Sequence, residues 1–71
     1  MDSGIKHHLT VGREFYQAGD YDRACPHLEA VLQTHHGFAD VHNMLGVIYY
    51  QAGRAGEACA RFERALEINP R

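Results

Sequence analysis

Tyr16-Gln17-Ala18-Gly19 recurs in this chain as Tyr50-Gln51-Ala52-Gly53, 34 residues further on. Sliding the chain by 34 aligns residues 5–37 with 39–71 without a gap, and ten of the 33 pairs are identical. They are His8/His42, Gly12/Gly46, Tyr16/Tyr50, Gln17/Gln51, Ala18/Ala52, Gly19/Gly53, Ala24/Ala58, Cys25/Cys59, Glu29/Glu63 and Leu32/Leu66. Ordinary composition gives roughly two. Val11/Leu45, Phe15/Tyr49 and Leu28/Phe62 are alike in kind. The chain is one unit written twice, and a period of this length marks an array of supersecondary repeats.

Each copy reads as two helices. In the second, Val41, Leu45, Ile48, Tyr49 and Ala52 recur at steps of three and four, which puts them on one helical face. Gly53 then ends the helix, because glycine accepts the left-handed conformation a helix end often needs. A new stripe follows in Ala58, Phe62, Ala65 and Leu66, closed by Asn69-Pro70, since the residue before proline avoids helical angles. The first copy repeats this order with Val11, Phe15 and Ala18, then Gly19, then Ala24, Leu28, Val31 and Leu32. Asp20 stands where its carboxylate can cap the second helix. The expectation is an all-α chain of four antiparallel helices near 5–18, 21–35, 39–52 and 55–68. Gly12 and Ala24, and likewise Gly46 and Ala58, are the small residues expected to let paired helices approach closely. A glycine inside a helix costs ~1 kcal/mol against alanine, so its recurrence implies such a compensation.

Two local features run against this order. Pro26 falls inside the second helix and predicts either a bend or a later start. Arg54 stands in the slot of Asp20 and cannot cap, so the last helix is expected to fray at its start. Glu57 and Arg61 are placed to form an i,i+4 pair there.

The whole composition narrows the function. A chain of 71 residues is a single small domain, and its core is marginal in isolation. A hydrophobic share of 45% is too high for a disordered tail. Net charge of −2 leaves no basic field for nucleic acid or an anionic membrane. No apolar run nears the ~20 residues of a membrane span, so membrane insertion is not expected. Met1-Asp2-Ser3-Gly4 lacks the segments of a signal peptide, and a cytoplasmic protein is the expectation. There is no P-loop, dinucleotide fingerprint, nucleophile elbow or zinc-protease pattern, so no enzyme and no cofactor are expected. Cys25 and Cys59 stand beside the core alanines and read as small packing residues. None of the six histidines has another at i,i+4, the spacing at which a helix offers two to one metal. A histidine-based metal-responsive domain is therefore the weakest functional alternative. His8 and His42 share one packing slot, and His35 and His36 suit a helix C-terminus.

The second copy, Leu45-Gly46-x-x-Tyr49, Gly53, Ala58, Phe62, Ala65, Pro70, resembles the tetratricopeptide repeat, a helix-turn-helix family with an L-G-x-x-Y…A-x-x-x-F…A…P pattern. The first matches more loosely through Val11-Gly12-x-x-Phe15, Gly19-Asp20-Tyr21, Ala24 and Leu28, with Val31 for alanine and His36 for the closing proline. The family's aromatic at the start of the first helix is replaced by His8 and His42. The resemblance implies a single domain over 1–71 made of repeats 5–38 and 39–71, stacked as a short α-solenoid. It also implies a non-catalytic module that binds a peptide or protein segment in a concave groove lined by the first helix of each repeat. The slots that face that groove in the family carry Lys6, Leu9, Arg13, Tyr16 and Gln17 in the first repeat, and Asp40, Asn43, Val47, Tyr50 and Gln51 in the second. The subset of the family that grips chaperone tails wants lysine and asparagine where this chain has Leu9 and Arg13, and asparagine where it has Met44. A chaperone-tail clamp is rejected on those residues.

The two first helices differ at their ends. Arg13-Glu14 becomes Val47-Ile48 in the second copy, so the first helix reads as a finished cap and the second as apolar nearly all round. The last helix pair has nothing after it to cover Met44, Ile48, Tyr49, Phe62, Ala65 and Leu66. Arrays of this kind need about three units with polar caps. Either further repeats follow, or this face meets a second copy as a homodimer, with or without exchange of helices. Self-association at high concentration is the expected outcome, and sedimentation showing a well-folded monomer at millimolar concentration would contradict it.

Overall fold

The computed structural model describes residues 2–35 and 37–70, without the side chains of Asp2 and Ser3. Four helices follow one another: α1 Asp2–Gln17, α2 Tyr21–Thr34, α3 Ala39–Gln51 and α4 Ala55–Ile68. No strand occurs among the described residues. The chain divides into two compact units, residues 1–36 and 37–71. In the first α1 packs on α2, and in the second α3 packs on α4. The expectation for His36 lies outside the described residues.

The repeated tetrapeptide is the turn of each hairpin. Gly19 and Gly53 both take φ +80°, the left-handed region that a residue with a Cβ rarely enters. In the first unit Gly19 N donates to Tyr16 O at 3.0 Å and Asp20 N to Phe15 O at 2.9 Å. In the second Gly53 N donates to Tyr50 O at 3.0 Å and Arg54 N to Tyr49 O at 2.8 Å. These are the paired bonds of a Schellman motif, which satisfy carbonyls that the helix end leaves open. Asp20 then serves the next helix as well, because its Oδ1 accepts from Arg23 N at 3.4 Å as the cap of α2.

Four boundaries differ from the periodicity. Helix α1 begins three residues earlier than residue 5, since the apolar stripe starts at Ile5 and carries no information about the turn before it. Helices α1, α2 and α3 each stop one residue sooner than expected. Helix α2 starts at Tyr21 and continues through Pro26, so the later start is excluded. Pro26 forfeits one bond, to the Asp22 carbonyl, near the helix start. Both residues are exposed, so water can serve that carbonyl.

The start of α4 corrects a second expectation. Glu57 does not pair with Arg61. Its carboxylate is held by Arg54, through Nε to Oε1 and through Nη2 to Oε2 at 2.8 Å. Arg54 also lies over the Tyr49 ring, 5.0 Å from its centroid. The first unit builds the same cluster with the charges exchanged. There Asp20 pairs with Arg23 at 3.5 Å, and Arg23 lies over Phe15 at 5.9 Å. Positions 20 and 54 are equivalent, as are 23 and 57, and 15 and 49. Either order leaves a guanidinium on the aromatic ring, where the π face attracts it. Only the first order also supplies an acceptor for the helix N-terminus, and α4 starts without a side-chain cap.

Each core forms around a glycine. Gly12, Ala24, Gly46 and Ala58 are all buried. The atoms nearest the glycines belong to the residue four beyond each alanine. A Cβ built at Gly12 would lie 2.8 Å from Leu28 Cδ2, and one at Gly46 2.5 Å from Phe62 Cε1. Leu28 and Phe62 are one repeat apart, so each unit fits a large side chain into the same notch. The apolar residues Val31, Val41, Met44, Leu45, Ile48, Tyr49 and Ala65 are buried as well.

Gly46→Ala is expected to lower stability on the order of 1–2 kcal/mol, the overpacking penalty less the better helix propensity of alanine. Gly56 has open space around it, and Gly56→Ala is expected to raise stability by about 0.5–1 kcal/mol. Urea unfolding followed by circular dichroism reads both. In the same assay Glu57→Arg alone sets two arginines at one helix N-terminus and should cost about 0.5–1 kcal/mol. Adding Arg54→Asp copies the first unit and should lift stability above the parent by about 1 kcal/mol, the worth of a cap.

Candidate protein-interaction surface

The two copies of the tetrapeptide turn alike but present their tyrosines differently. Tyr16 is half-buried, and its ring lies 5.4 Å from that of Tyr21, tilted by 31°. Burial, and then the neighbouring Tyr21 hydroxyl, raise the Tyr16 pKa above 10.0. The phenol is a neutral donor at any physiological pH. The residue equivalent to Tyr21 in the second unit is Ala55, so nothing of that size stands beside Tyr50. Tyr50 is 65% exposed, the most exposed large hydrophobic side chain among the described residues. It projects from a helix otherwise buried along Val41, His42, Met44, Leu45, Gly46, Ile48 and Tyr49.

The remaining groove candidates can be placed helix by helix. On α1, Lys6, Arg13 and Gln17 are exposed and Leu9 is half-buried. On α3, Asp40, Asn43 and Gln51 are exposed and Val47 is half-buried. Asp40 Oδ1 accepts from Val41 N at 3.0 Å, so part of its carboxylate is engaged at the start of its own helix. On α3 the spacing of these residues puts them on the side away from the buried stripe, with Tyr50 the largest apolar group there.

The residues considered for self-association are distributed differently. Met44, Ile48, Tyr49 and Ala65 are buried, Phe62 is half-buried, and Leu66 is 57% exposed. The cysteines correct an expectation. Cys59 is exposed and Cys25 half-buried, because each follows its buried alanine by one residue and so points ~100° round the helix. Their sulfurs lie 3.5 Å from Glu29 Oε2 and 3.7 Å from Glu63 Oε2, a thiol-to-carboxylate contact within one helix turn.

The histidines hold cross-helix contacts that spacing along one helix does not disclose. His8 Nδ1 lies 3.0 Å from His27 Nδ1, and His42 Nδ1 lies 3.2 Å from Arg61 Nη1. No group of three or more histidine, cysteine or acidic side chains is arranged to hold a metal ion among the described residues. Two signals for these arrangements were present in the alignment of the repeats: the Tyr21/Ala55 difference beside a repeated tyrosine, and the His27/Arg61 difference opposite a repeated histidine.

No helix among the described residues is long and apolar enough to cross a membrane. No curated protein matches the chain. The sequence profile described as Tetratricopeptide repeat matches residues 9–71, most of its length. With two helical hairpins of the same build, each turned by an equivalent glycine and notched by an equivalent buried glycine, the chain belongs to the tetratricopeptide repeat family.

Proposed function

We propose that this chain is a non-catalytic module that binds a peptide or protein segment, anchored on the exposed side of its third helix. The observation that carries this reading is Tyr50, an aromatic side chain 65% exposed on a helix whose other faces are buried. Exposing a tyrosine forgoes the burial energy of a large ring, and such rings act as anchors because they offer rigid apolar area with a polar tip. On the same side of α3 stand the amide groups of Asn43 and Gln51 and the carboxylate of Asp40; the equivalent surface of α1, in its own unit, carries Lys6, Arg13 and Gln17. This is the chemistry of an extended segment whose backbone is held by amides and whose side chains rest on aromatic faces. Tyr16 plays a lesser part, since Tyr21 already covers one side of it.

Self-association through α4 is the second reading, favoured by the exposure of Leu66. It has a smaller apolar area at its disposal, because most of the side chains assigned to that face are already buried. Partner identity and cellular compartment stay outside this proposal.

Selection of peptides from a displayed library against the 71-residue chain tests the first reading. Tyr50→Ala should weaken a selected peptide by at least tenfold, ~1.4 kcal/mol or more, in isothermal titration, as expected of an anchor. Tyr16→Ala should weaken it less and also lower the melting temperature. Leu66→Glu should leave peptide affinity unchanged. If Leu66→Glu dissociates a dimer in sedimentation and the tyrosine variants bind as the parent does, the second reading takes its place.

A further inference from the structure

The two units set the same histidine in the same slot and give it different partners. In the second unit His42 is buried, and Arg61 Nη1 lies 3.2 Å from its Nδ1. Arginine keeps its charge at any pH and offers only N–H groups, so Nδ1 of His42 accepts. In the first unit the equivalent of Arg61 is His27, with Nδ1 lying 3.0 Å from Nδ1 of His8. Both contacts join residues 19 apart, one bond drawn twice with a different donor.

Two imidazole nitrogens can share a hydrogen bond only when one carries a proton and the other does not. A neutral pair meets this condition through choice of tautomer. A pair holding one extra proton meets it better, because an imidazolium at His27 donates to His8 as Arg61 donates to His42, and a charge-assisted bond is roughly twice as strong. A pair holding two extra protons faces N–H against N–H across the gap, and the bond becomes a repulsion.

The surroundings sharpen the second step. The His27 ring stacks on Phe15 at 6.0 Å, and His8 meets the edge of His7 at 5.9 Å. One turn before His27 stands Arg23, itself over Phe15 and paired with Asp20. One turn either side of His8 on α1 stand Gly4, Ile5, Val11 and Gly12, all uncharged. Among the described residues no carboxylate bonds either ring. The charged or chargeable neighbours on both helices of this unit are His7 and Arg23, cationic when charged, and Asp20, whose carboxylate is taken up by Arg23.

We infer that the His8–His27 pair is a one-proton switch on the first hairpin: its first proton strengthens the tie between α1 and α2, and its second breaks it. Histidine changes charge between about pH 5 and 8, so the switch works in the range cells and their compartments span. The second unit holds the corresponding charge permanently on Arg61.

Thermal unfolding of the full chain, the His27→Arg variant and the His27→Gln variant across this range tests the inference, since all three share the remaining histidines. As pH falls from about 8 to 6, the melting temperature of the parent should close on that of His27→Arg, while the gap between His27→Gln and His27→Arg shows no such closing. Nitrogen-15 spectra of the folded parent should show Nδ1 of His8 staying unprotonated while the His27 ring charges. Parallel melting curves for the parent and His27→Gln overturn the inference, as does protonation of His8 Nδ1 before the His27 ring has charged. Should His27→Arg fail to fold, the His27→Gln comparison and the spectra decide it alone.

Discussion

Each hairpin depends on a missing side chain. Gly12 and Gly46 leave notches in the first helix of each unit, and Leu28 and Phe62 occupy them. Without those notches the two helices would stand further apart, and the buried alanines Ala24 and Ala58 would face a gap. The helix-breaking cost of an interior glycine is offset by the close packing it admits, since dense cores gain from every contact they keep. The motif L-G-x-x-Y is thus a statement about the opposite helix.

Around this common frame the two units vary in compensated ways. The Asp20–Arg23 pair becomes Arg54–Glu57, yet a guanidinium stays on the aromatic ring at 15 or 49. Tyr21 becomes Ala55, and the neighbouring tyrosine passes from half-buried to exposed. His27 becomes Arg61, and a histidine contact becomes a permanent cation contact. The first variation keeps the guanidinium on the ring and gives up the side-chain cap of the following helix. The other two change what the unit offers to solvent and how it answers protons. Repetition therefore supplies a control inside one chain, because each unit shows what the other lacks.

The frame was legible in the sequence because its causes are local. Periodicity located the four helices, glycine required the left-handed turn, and Asp20 lay one residue before its helix. What sequence reading missed depends on contacts between helices. Arg61 reached across to His42 rather than along its own helix to Glu57, and Tyr21 lay against Tyr16 from the next helix. The cysteines were misread because a residue adjacent to a core position was taken to share its face. The start of α1 was misplaced because an apolar stripe marks only the part of a helix that packs. The surface assigned to a partner rests on the family's habit and on the exposure of particular side chains, neither of which periodicity can supply.

The shared use of Asp20 has a consequence for how such a unit can drift in length. Its amide closes α1 and its carboxylate opens α2, so three residues carry the chain from one helix into the next. Surface connections ordinarily absorb extra residues. Here one extra residue would split the two duties of Asp20 and turn the following helix by ~100° relative to its notch. The turn therefore behaves as a ruler: it permits residues to be exchanged freely while keeping the count between the notch and its occupant unchanged.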